Sequence, residues 1–298
     1  MPLPALSATP DGTAPGARAM LRFLAFDTST DVMSIALTDG TRLWQHSGPG
    51  GAKASTTLIP AILALLDQAE REAGLTLDTL DAIAFGQGPG SFTGLRTACA
   101  VAQGLAFGAR GGSGLPVLPV PTLLALAEEA RFLALQAGLG ESAAHHITTL
   151  LDARMDEMYV QMFALCNGQL VIKFDSSTGN EIRGVRMIRP ENLLLESVGG
   201  APTLLAGNVF TVYAGRLPDL AGRVCVVALP TATAMLRLAP ALAANGACVA
   251  ADYALPLYVR NKVAQTTAER AHIAAEKAAK ALQATQTEAL VQTGASPA

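Results

Sequence analysis

The stretch Phe-Gly-Gln-Gly-Pro-Gly-Ser-Phe-Thr-Gly-Leu-Arg, residues 85–96, contains the turn on which the predicted fold depends. The short apolar run Asp81–Phe85 leads into it and predicts a β-strand, and a helix is predicted from about Ser91 to Phe107. Gly88 and Gly90 permit backbone angles that other residues avoid, and they let a second backbone or a ligand come close. The stretch therefore predicts a tight strand-to-helix turn, which is typical of α/β proteins.

The start of that predicted helix offers a site for an anion. Ser91 and Thr93 are residues that cap helices, and the free N–H groups of a helix N-terminus favour negative charge. Arg96 lies one turn further on, within reach of a phosphate or carboxylate. The alternative is a tight connection that binds no ligand, and the residues alone leave both open. No Gly-Lys-Ser/Thr follows, so the turn is not a P-loop.

Segments on both sides of this turn indicate an α/β fold. Their order is a strand, a β-hairpin, a helix, a strand, a helix, a strand and a helix, followed by a second set that begins with adjacent strands. Mixed sheets flanked by helices fit this order better than an all-parallel sheet. The other predicted strands are Leu21–Asp27, Val32–Leu37, Leu43–His46, Val117–Val120, Ile147–Leu151, Met158–Leu165, Leu170–Phe174, Thr203–Ala206 and Val224–Val227, and the other predicted helices are Ser55–Ala73, Pro121–Ala137, Pro190–Ser197 and Thr231–Ala243.

Two further stretches contain polar residues next to predicted strands. Asp27-Thr28-Ser29-Thr30 ends the first strand, and an acid followed by three hydroxyls can hold a metal-bound water or a phosphate. The alternative, which the residues alone favour, is an Asx or Ser/Thr turn. Asp152 and Arg154 share one face of an extended segment. They either form a local ion pair, the interpretation that we prefer, or point into a cleft between lobes.

Length, hydropathy and charge exclude some classes of protein. The 298 residues are enough for two domains. Half of them are hydrophobic and the mean hydropathy is +0.35, but Gly and Pro interrupt every apolar run before the roughly 20 residues that a bilayer span needs. The formal net charge of −3 argues against a protein that binds nucleic acid by itself, because such proteins usually have a basic face.

The cysteines and histidines argue against several kinds of site. The four cysteines include no Cys-x-x-Cys pair, so neither a zinc ribbon nor a disulfide framework is indicated, and a reduced cytosolic chain is the simplest interpretation. No His-x-x-x-His or His-Glu-x-x-His pair is present, and Gly-x-Ser-x-Gly is absent. We therefore predict no metal site and no catalytic nucleophile.

Composition also suggests how the chain divides. Residues 1–20, rich in Ala, Pro, Gly and Thr, are expected to be a disordered extension. Residues 21–120 and 121–263 are predicted to form two αβ lobes, and the Ala-rich residues 264–298 a tail outside the core. In the first lobe, the predicted helix that follows Lys53 has an apolar arc wider than one buried stripe needs. Part of that arc is either enclosed by the fold or a surface for a partner.

Four ordered motifs within residues 21–263 resemble the TsaB (YeaZ-like) family. They are Asp27–Thr30, Gly88–Arg96, Leu151–Tyr159 and Pro256–Arg260. The resemblance implies a two-lobed actin-like ATPase (sugar-kinase-like) fold. It also implies a role in placing a threonylcarbamoyl group on the adenosine next to the anticodon, in tRNAs that read codons starting with A. In that system TsaB is the non-catalytic partner of the catalytic subunit TsaD.

The resemblance assigns roles to particular residues. It implies no catalytic residue and no metal ligand, because the stretch that matches the paired histidines of the catalytic relative, Lys53–Pro60, contains no histidine. Gly207 corresponds to an adenine-contacting turn, where Phe210 would crowd a purine. The residues expected to face a nucleotide or phosphate are Asp27, Thr28, Ser29, Gly88, Gly90, Ser91, Thr93, Arg96, Asp152, Arg154 and Gly207. Those expected to contact the partner are Leu58, Ile59, Ile62, Leu65, Leu66, Ala98 and Ala102.

Partners and cofactors follow from the same resemblance. We expect a TsaD-type subunit and a TsaE-type ATPase as partners, tRNA only through the complex, a homodimer as the alternative state of the isolated chain, and a cytoplasmic location without membrane contact. We expect no required cofactor, with ATP or ADP at the interface with TsaD as the alternative. The competing function is an active ATP-dependent transferase that uses Asp27, Gly88–Thr93 and Asp152, and a metallopeptidase is the remote third.

Overall fold

The computed structural model describes residues 22–140, 145–173, 184–195 and 203–259. The strands in these ranges form two mixed sheets. This confirms the predicted α/β class. The predicted N-terminal extension and C-terminal tail lie outside the described residues, and the boundaries of the two lobes stay a prediction.

The first sheet has the strand order β3-β2-β1-β4-β5. β1, β2 and β3 are antiparallel neighbours, whereas β4 and β5 run parallel to β1. Two helices provide the crossovers, and each predicted strand of this sheet is confirmed. The elements are β1 (Phe23–Asp27), β2 (Val32–Thr38), β3 (Leu43–Pro49), α1 (Ala54–Ala73), β4 (Ala82–Gly88), α2 (Phe92–Gly108) and β5 (Val117–Pro121).

The end of α1 and the start of α2 lie within one residue of the positions that the sequence predicts. Gly74 ends α1 with a left-handed φ of 65°, a conformation that glycine adopts without steric cost. Ser91 caps α2, and its side chain accepts a hydrogen bond from the N–H of Gly94 at 3.4 Å. At these two positions the local sequence signal and the observed helix boundary therefore agree.

The second sheet has the order β11-β10-β6-β7-β8, with the short strand β9 paired to β7. The predicted helix Pro190–Ser197 is wrong in its described part, because Pro190–Asn192 is a single 3-10 turn and residues 193–195 are not helical. Residues 174, 196 and 197, predicted in a strand and this helix, lie outside the described residues. The elements are α3 (Thr122–Gln136), β6 (His146–Arg154), β7 (Glu157–Cys166), β8 (Gln169–Lys173), β9 (Arg186–Ile188), β10 (Thr203–Gly207), α4 (Val209–Val212), β11 (Val224–Val227) and α5 (Ala232–Ala244).

Apolar side chains on alternate residues of β1 point to two different layers. Leu24 and Phe26 belong to the core under α1 and α2. Phe23 and Ala25 belong to a second core, which includes Met235 of α5. On the second sheet, one face packs against α3 and the other against the short helix α4. Helices α3 and α5 therefore contribute to the cores between the sheets, while α1 and α2 cover the opposite face of the first sheet.

After α5 the chain returns along the first sheet as residues 249–258, which we call the C-terminal strap. Val249 exchanges two backbone hydrogen bonds with Val117, at 2.8 and 2.9 Å. Ala251 and Ala254 are buried in the core that lies under α2. None of the helices in the described ranges has the length and apolar character required to span a bilayer.

Candidate functional site

The loop after β1 holds a buried carboxyl group. Oδ1 of Asp27 accepts hydrogen bonds from the N–H of Ser29 at 2.9 Å and from its hydroxyl at 2.7 Å. Within the described part of the chain, Oδ2 is buried without a hydrogen-bond partner. Burial raises the pKa of Asp27 to about 6, although both hydrogen bonds from Ser29 lower it. The loop therefore contains the Asx turn that the residues alone favour, with one carboxylate oxygen unused.

Neighbouring glycines make room for this loop. A Cβ atom on Gly86 would lie 1.9 Å from Oδ2 of Asp27, and a Cβ atom on Gly94 would lie 1.9 Å from the carbonyl oxygen of Thr28. Neither distance is compatible with a side chain. The glycines of residues 85–96 thus let the β1–β2 loop pack directly on the strand-to-helix turn.

Groups of the chain itself bond to several polar groups in and beside the predicted anion site. The N–H of Ser91 donates to the carbonyl of Ser29 at 2.7 Å, and the N–H of Gly88 donates to the hydroxyl of Thr122 at 3.1 Å. The hydroxyl of Thr28 donates to the carbonyl of Gly94 at 2.7 Å. These hydrogen bonds favour the structural interpretation of the turn over the anion-binding one.

Arg96 contacts the C-terminal strap instead of a cleft. Its Nε donates to the hydroxyl of Tyr258 at 2.9 Å, and its guanidinium lies 3.9 Å from the centre of the Phe92 ring. The N–H of Leu257 also donates to the carbonyl of Gln87 at 2.8 Å. The structure therefore brings the Gly-rich motif together with Leu257 and Tyr258 of the motif Pro256–Arg260.

Asp152 lies at the end of β6 in a set of hydrogen bonds. Its N–H donates to the side-chain oxygen of Asn208 at 2.9 Å, and its Oδ1 accepts from the hydroxyl of Tyr213 at 2.6 Å. Burial and the bond to Asp152 together raise the pKa of Tyr213 well above its ordinary value. Nε of Arg154 lies 3.7 Å from Asp152, as predicted, but the shorter contacts of Arg154 are to Asp31 on the other sheet, at 2.5 and 2.6 Å.

Gly207, the last residue of β10, lies where there is no space for a side chain. A Cβ atom there would lie 1.7 Å from the carbonyl oxygen of Leu150, and its φ is 151°. Phe210 is half-buried and packs against the apolar cluster that includes Leu150 and Val209. The ring thus contributes to a core, and the expectation that it would crowd a purine stays a prediction.

The predicted partner residues require a larger correction. Ile59 is 48% exposed, but the other six are at most 7% exposed and belong to the core between the helices and the first sheet. Side chains so completely enclosed leave almost no area for a partner. The corrected residues are Leu58, Ile62, Leu65, Leu66, Ala98 and Ala102.

The exposed side of α1 over residues 54–66, and that of α2 over residues 97–108, is nevertheless uncharged and includes several apolar residues. Residues 54–66 and 97–108 contain no Asp, Glu, Lys or Arg. Ile59, Leu63 and Phe107 are 48, 50 and 56% exposed, and Ala100 and Gly104 are exposed as well. We call these five residues the α1–α2 face. Exposed apolar residues grouped without charge are typical of an interaction site.

Three residues of the site were missed at the sequence level. Asp31 lies one residue beyond the predicted hydroxyl-rich stretch, so that stretch contains a signal for it. Nothing in the sequence indicates Asn208 or Tyr213 as neighbours of Asp152, from which they are 56 and 61 residues distant. Among the described residues, no group of three or more His, Cys, Asp or Glu side chains could hold a metal ion.

Comparisons with known proteins identify the class of this chain and then its family. Residues 45–298 match the family described as "TsaD: tRNA N6-adenosine threonylcarbamoyltransferase". The proteins named "tRNA threonylcarbamoyladenosine biosynthesis protein TsaB" from Haemophilus influenzae and Escherichia coli are 33 and 32% identical to it, over 82% of this chain and 95 and 96% of theirs. The chain belongs to the TsaB family.

The structural comparison supports the same assignment. The structure of YeaZ from Pseudomonas aeruginosa matches 80% of this chain and 100% of its own, with a TM-score of 0.64 and 35% sequence identity. The resemblance drawn from the four motifs is confirmed, and so is the predicted two-lobed actin-like ATPase fold.

Proposed function

We propose that this chain is a non-catalytic subunit in the biosynthesis of threonylcarbamoyladenosine in tRNA. It binds a TsaD-type catalytic subunit and supports the transfer of the threonylcarbamoyl group to the adenosine next to the anticodon, in tRNAs that read codons starting with A. The observation behind this proposal is the contrast between two surfaces. The N–H groups of Gly88 and Ser91 in the Gly-rich turn bond to the chain itself, whereas the α1–α2 face is exposed and has no internal partner of its own in the described residues.

The α1–α2 face suits a protein partner. Small residues at 100 and 104 allow another backbone to come close, and Ile59, Leu63 and Phe107 supply apolar area around them. Because these side chains are already about half buried, covering the rest of each contributes on the order of 1 kcal/mol. Helices α1 and α2 thus stay the proposed partner surface. The proposed contact residues are the exposed ones, and the buried residues of the two helices are no longer among them.

Other parts of the assembly follow from the family. We propose that a TsaE-type ATPase joins the complex, that tRNA is bound only through the complex, and that the protein acts in the cytoplasm. A net charge of −3 agrees with the absence of tRNA binding by the isolated chain. No cofactor is required under this proposal, and ATP or ADP at the interface with the catalytic subunit is the alternative. The same face would join two copies when the chain is alone.

A pair of matched variants tests the face. Leu63→Glu is expected to weaken binding to the TsaD-type subunit at least tenfold in sedimentation velocity, while the variant stays folded. Val212→Glu is the control, because Val212 is also 50% exposed but lies on α4 of the second sheet. Ile62→Glu should instead unfold the chain, since Ile62 is fully buried. Equal effects of Leu63→Glu and Val212→Glu, or no complex with the wild type, would refute the proposal.

One observation favours the competing function, an active ATP-dependent transferase. Asp27 keeps a carboxylate oxygen without a hydrogen-bond partner in the described residues, at the end of β1 beside the Gly-rich turn. Metal-dependent ATP hydrolysis by the purified chain distinguishes the two. Turnover of about 1 per second or faster, abolished by Asp27→Asn, would support the transferase and contradict the non-catalytic proposal.

A further inference from the structure

An ion pair joins the loops of the two sheets. Nη2 of Arg154, in the turn between β6 and β7, lies 2.6 and 2.5 Å from the two carboxylate oxygens of Asp31, in the loop between β1 and β2. The two residues are 123 positions apart in the sequence. Their side chains are 66 and 75% exposed, so water and salt reach both charges.

The turn that presents Arg154 has an unusual backbone. Arg154, Met155 and Asp156 have φ values of 62, 56 and 60°, and none of the three is glycine. L-residues avoid this left-handed region, and consecutive examples persist only where surrounding contacts enforce them. The conformation therefore needs an explanation from the contacts around the turn.

Contacts from the second sheet hold the turn in place. The N–H of Arg154 donates to Oδ1 of Asp152 at 2.9 Å, and Nη1 of Arg216 lies 2.8 Å from Asp156. The hydroxyl of Tyr213 bonds to the carbonyl of Glu157 at 2.9 Å. These bonds connect the turn to its own sheet, and the ion pair with Asp31 adds a contact to the other sheet.

The other side of the ion pair is anchored to the first sheet. The carbonyl of Asp31 accepts from the N–H of Gly50 at 2.8 Å. Four residues earlier in the same loop, Asp27 bonds to Ser29. A movement of Asp31 therefore acts on the loop that contains the buried carboxyl group.

We propose that Asp31 and Arg154 form a salt-sensitive clasp that couples the β1–β2 loop of the first sheet to the β6–β7 turn of the second. Because the pair is exposed, salt screens its attraction and the clasp opens at low cost. When it opens, the two loops fluctuate independently, while the helices between the sheets stay packed. The clasp gives the protein a contact between its two sheets that salt or a charged partner group can release.

Amide hydrogen exchange of the full chain tests the clasp. Peptides that cover residues 27–32 and 152–157 are followed in wild type and Asp31→Asn at about 0.05 and about 1 M salt. At low salt we expect exchange in 152–157 to be about two- to fivefold faster in the variant, in line with an exposed pair. At high salt the wild type should approach the variant, and Asp31→Glu should retain part of the protection.

The control is Asp39→Asn, another exposed acid in a turn of the first sheet. The side chain of Asp39 bonds to Thr41 and Arg42, two and three residues away. Its loss should leave exchange in 152–157 unchanged. Equal exchange of that segment in wild type and Asp31→Asn at low salt would overturn the clasp. Faster exchange throughout the Asp31→Asn chain would also overturn it, because a general loss of stability would then explain the effect.

Discussion

The buried carboxyl group of Asp27 makes stability depend on pH in a direction opposite to that of most acids. Its pKa is about 6 in the folded chain against an ordinary value of 3.8. The folded state thus binds the proton more tightly than the unfolded state does. The stabilisation from this proton is complete below pH 3.8 and is lost as the pH rises through 6. The difference corresponds to about 3 kcal/mol, of which about 2 kcal/mol is lost between about pH 4.5 and 8.

The variant Asp27→Asn isolates this contribution. Its amide oxygen can still accept the bonds from Ser29, and its NH2 group replaces the unpartnered oxygen at a cost of about 1–3 kcal/mol that does not change with pH. The free energy of unfolding, measured by urea titration and circular dichroism, is compared between variant and wild type at each pH. The variant should gain about 2 kcal/mol relative to the wild type from about pH 4.5 to 8.

Asp39→Asn is the matched control for this prediction. Desolvation raises the pKa of Asp39, but hydrogen bonds from the N–H groups of Arg42 and Thr41 and from the Thr41 hydroxyl outweigh it, so the pKa is lowered. Its contribution to stability is present above the ordinary pKa and lost as the pH falls, which is the opposite sign. A difference between Asp27→Asn and wild type that stays constant with pH would refute the reasoning about burial.

Three further substitutions test the packing and the hydrogen bonds of the site. Gly94→Ala should lower the free energy of unfolding by about 2–3 kcal/mol, because its Cβ atom would lie 1.9 Å from the carbonyl oxygen of Thr28. Gly104→Ala in the same helix meets no atom within 4 Å and should raise stability by about 1 kcal/mol, so similar effects of both would contradict this account. Tyr213→Phe should lower the free energy of unfolding by about 1–2 kcal/mol in thermal unfolding, since it removes the hydrogen bond to Asp152. An unchanged free energy of unfolding would show that this hydrogen bond makes no net contribution to stability.

Elements with a strong local signal were predictable. The apolar runs of β1 and β4 and the helices α1 and α2 have their signals in adjacent residues, and Gly74 ends α1 where expected. The segment around Pro190 illustrates the opposite case. Its composition permits a helix, but only one 3-10 turn forms in the described part. Helix propensity is a weak preference, and it does not produce a helix where tertiary packing does not support one.

Some members of the candidate site were predictable from the sequence, but their contacts were not. Asp27, Ser29 and Ser91 do meet, because β1 and β4 are neighbours in the sheet. Arg96 was expected to face a phosphate and instead bonds to Tyr258, 162 residues later. A long arginine side chain has many partners within reach, and the choice among them depends on where distant segments of the chain are placed.

The sequence by itself determined the family, the α/β class and the position of the strand-to-helix turn, because motifs, caps and apolar periodicity are local properties. Only the tertiary structure decided which side of α1 and α2 is core and which is exposed. Apolar residues occur on both sides of α1 over residues 54–66, so hydrophobicity does not distinguish the two sides there. The sheet that covers Ile62 and leaves Ile59 half exposed is assembled from strands both before and after α1 in the chain. The ion pair of Asp31 with Arg154 has the same origin, since it exists only once two sheets have folded next to each other.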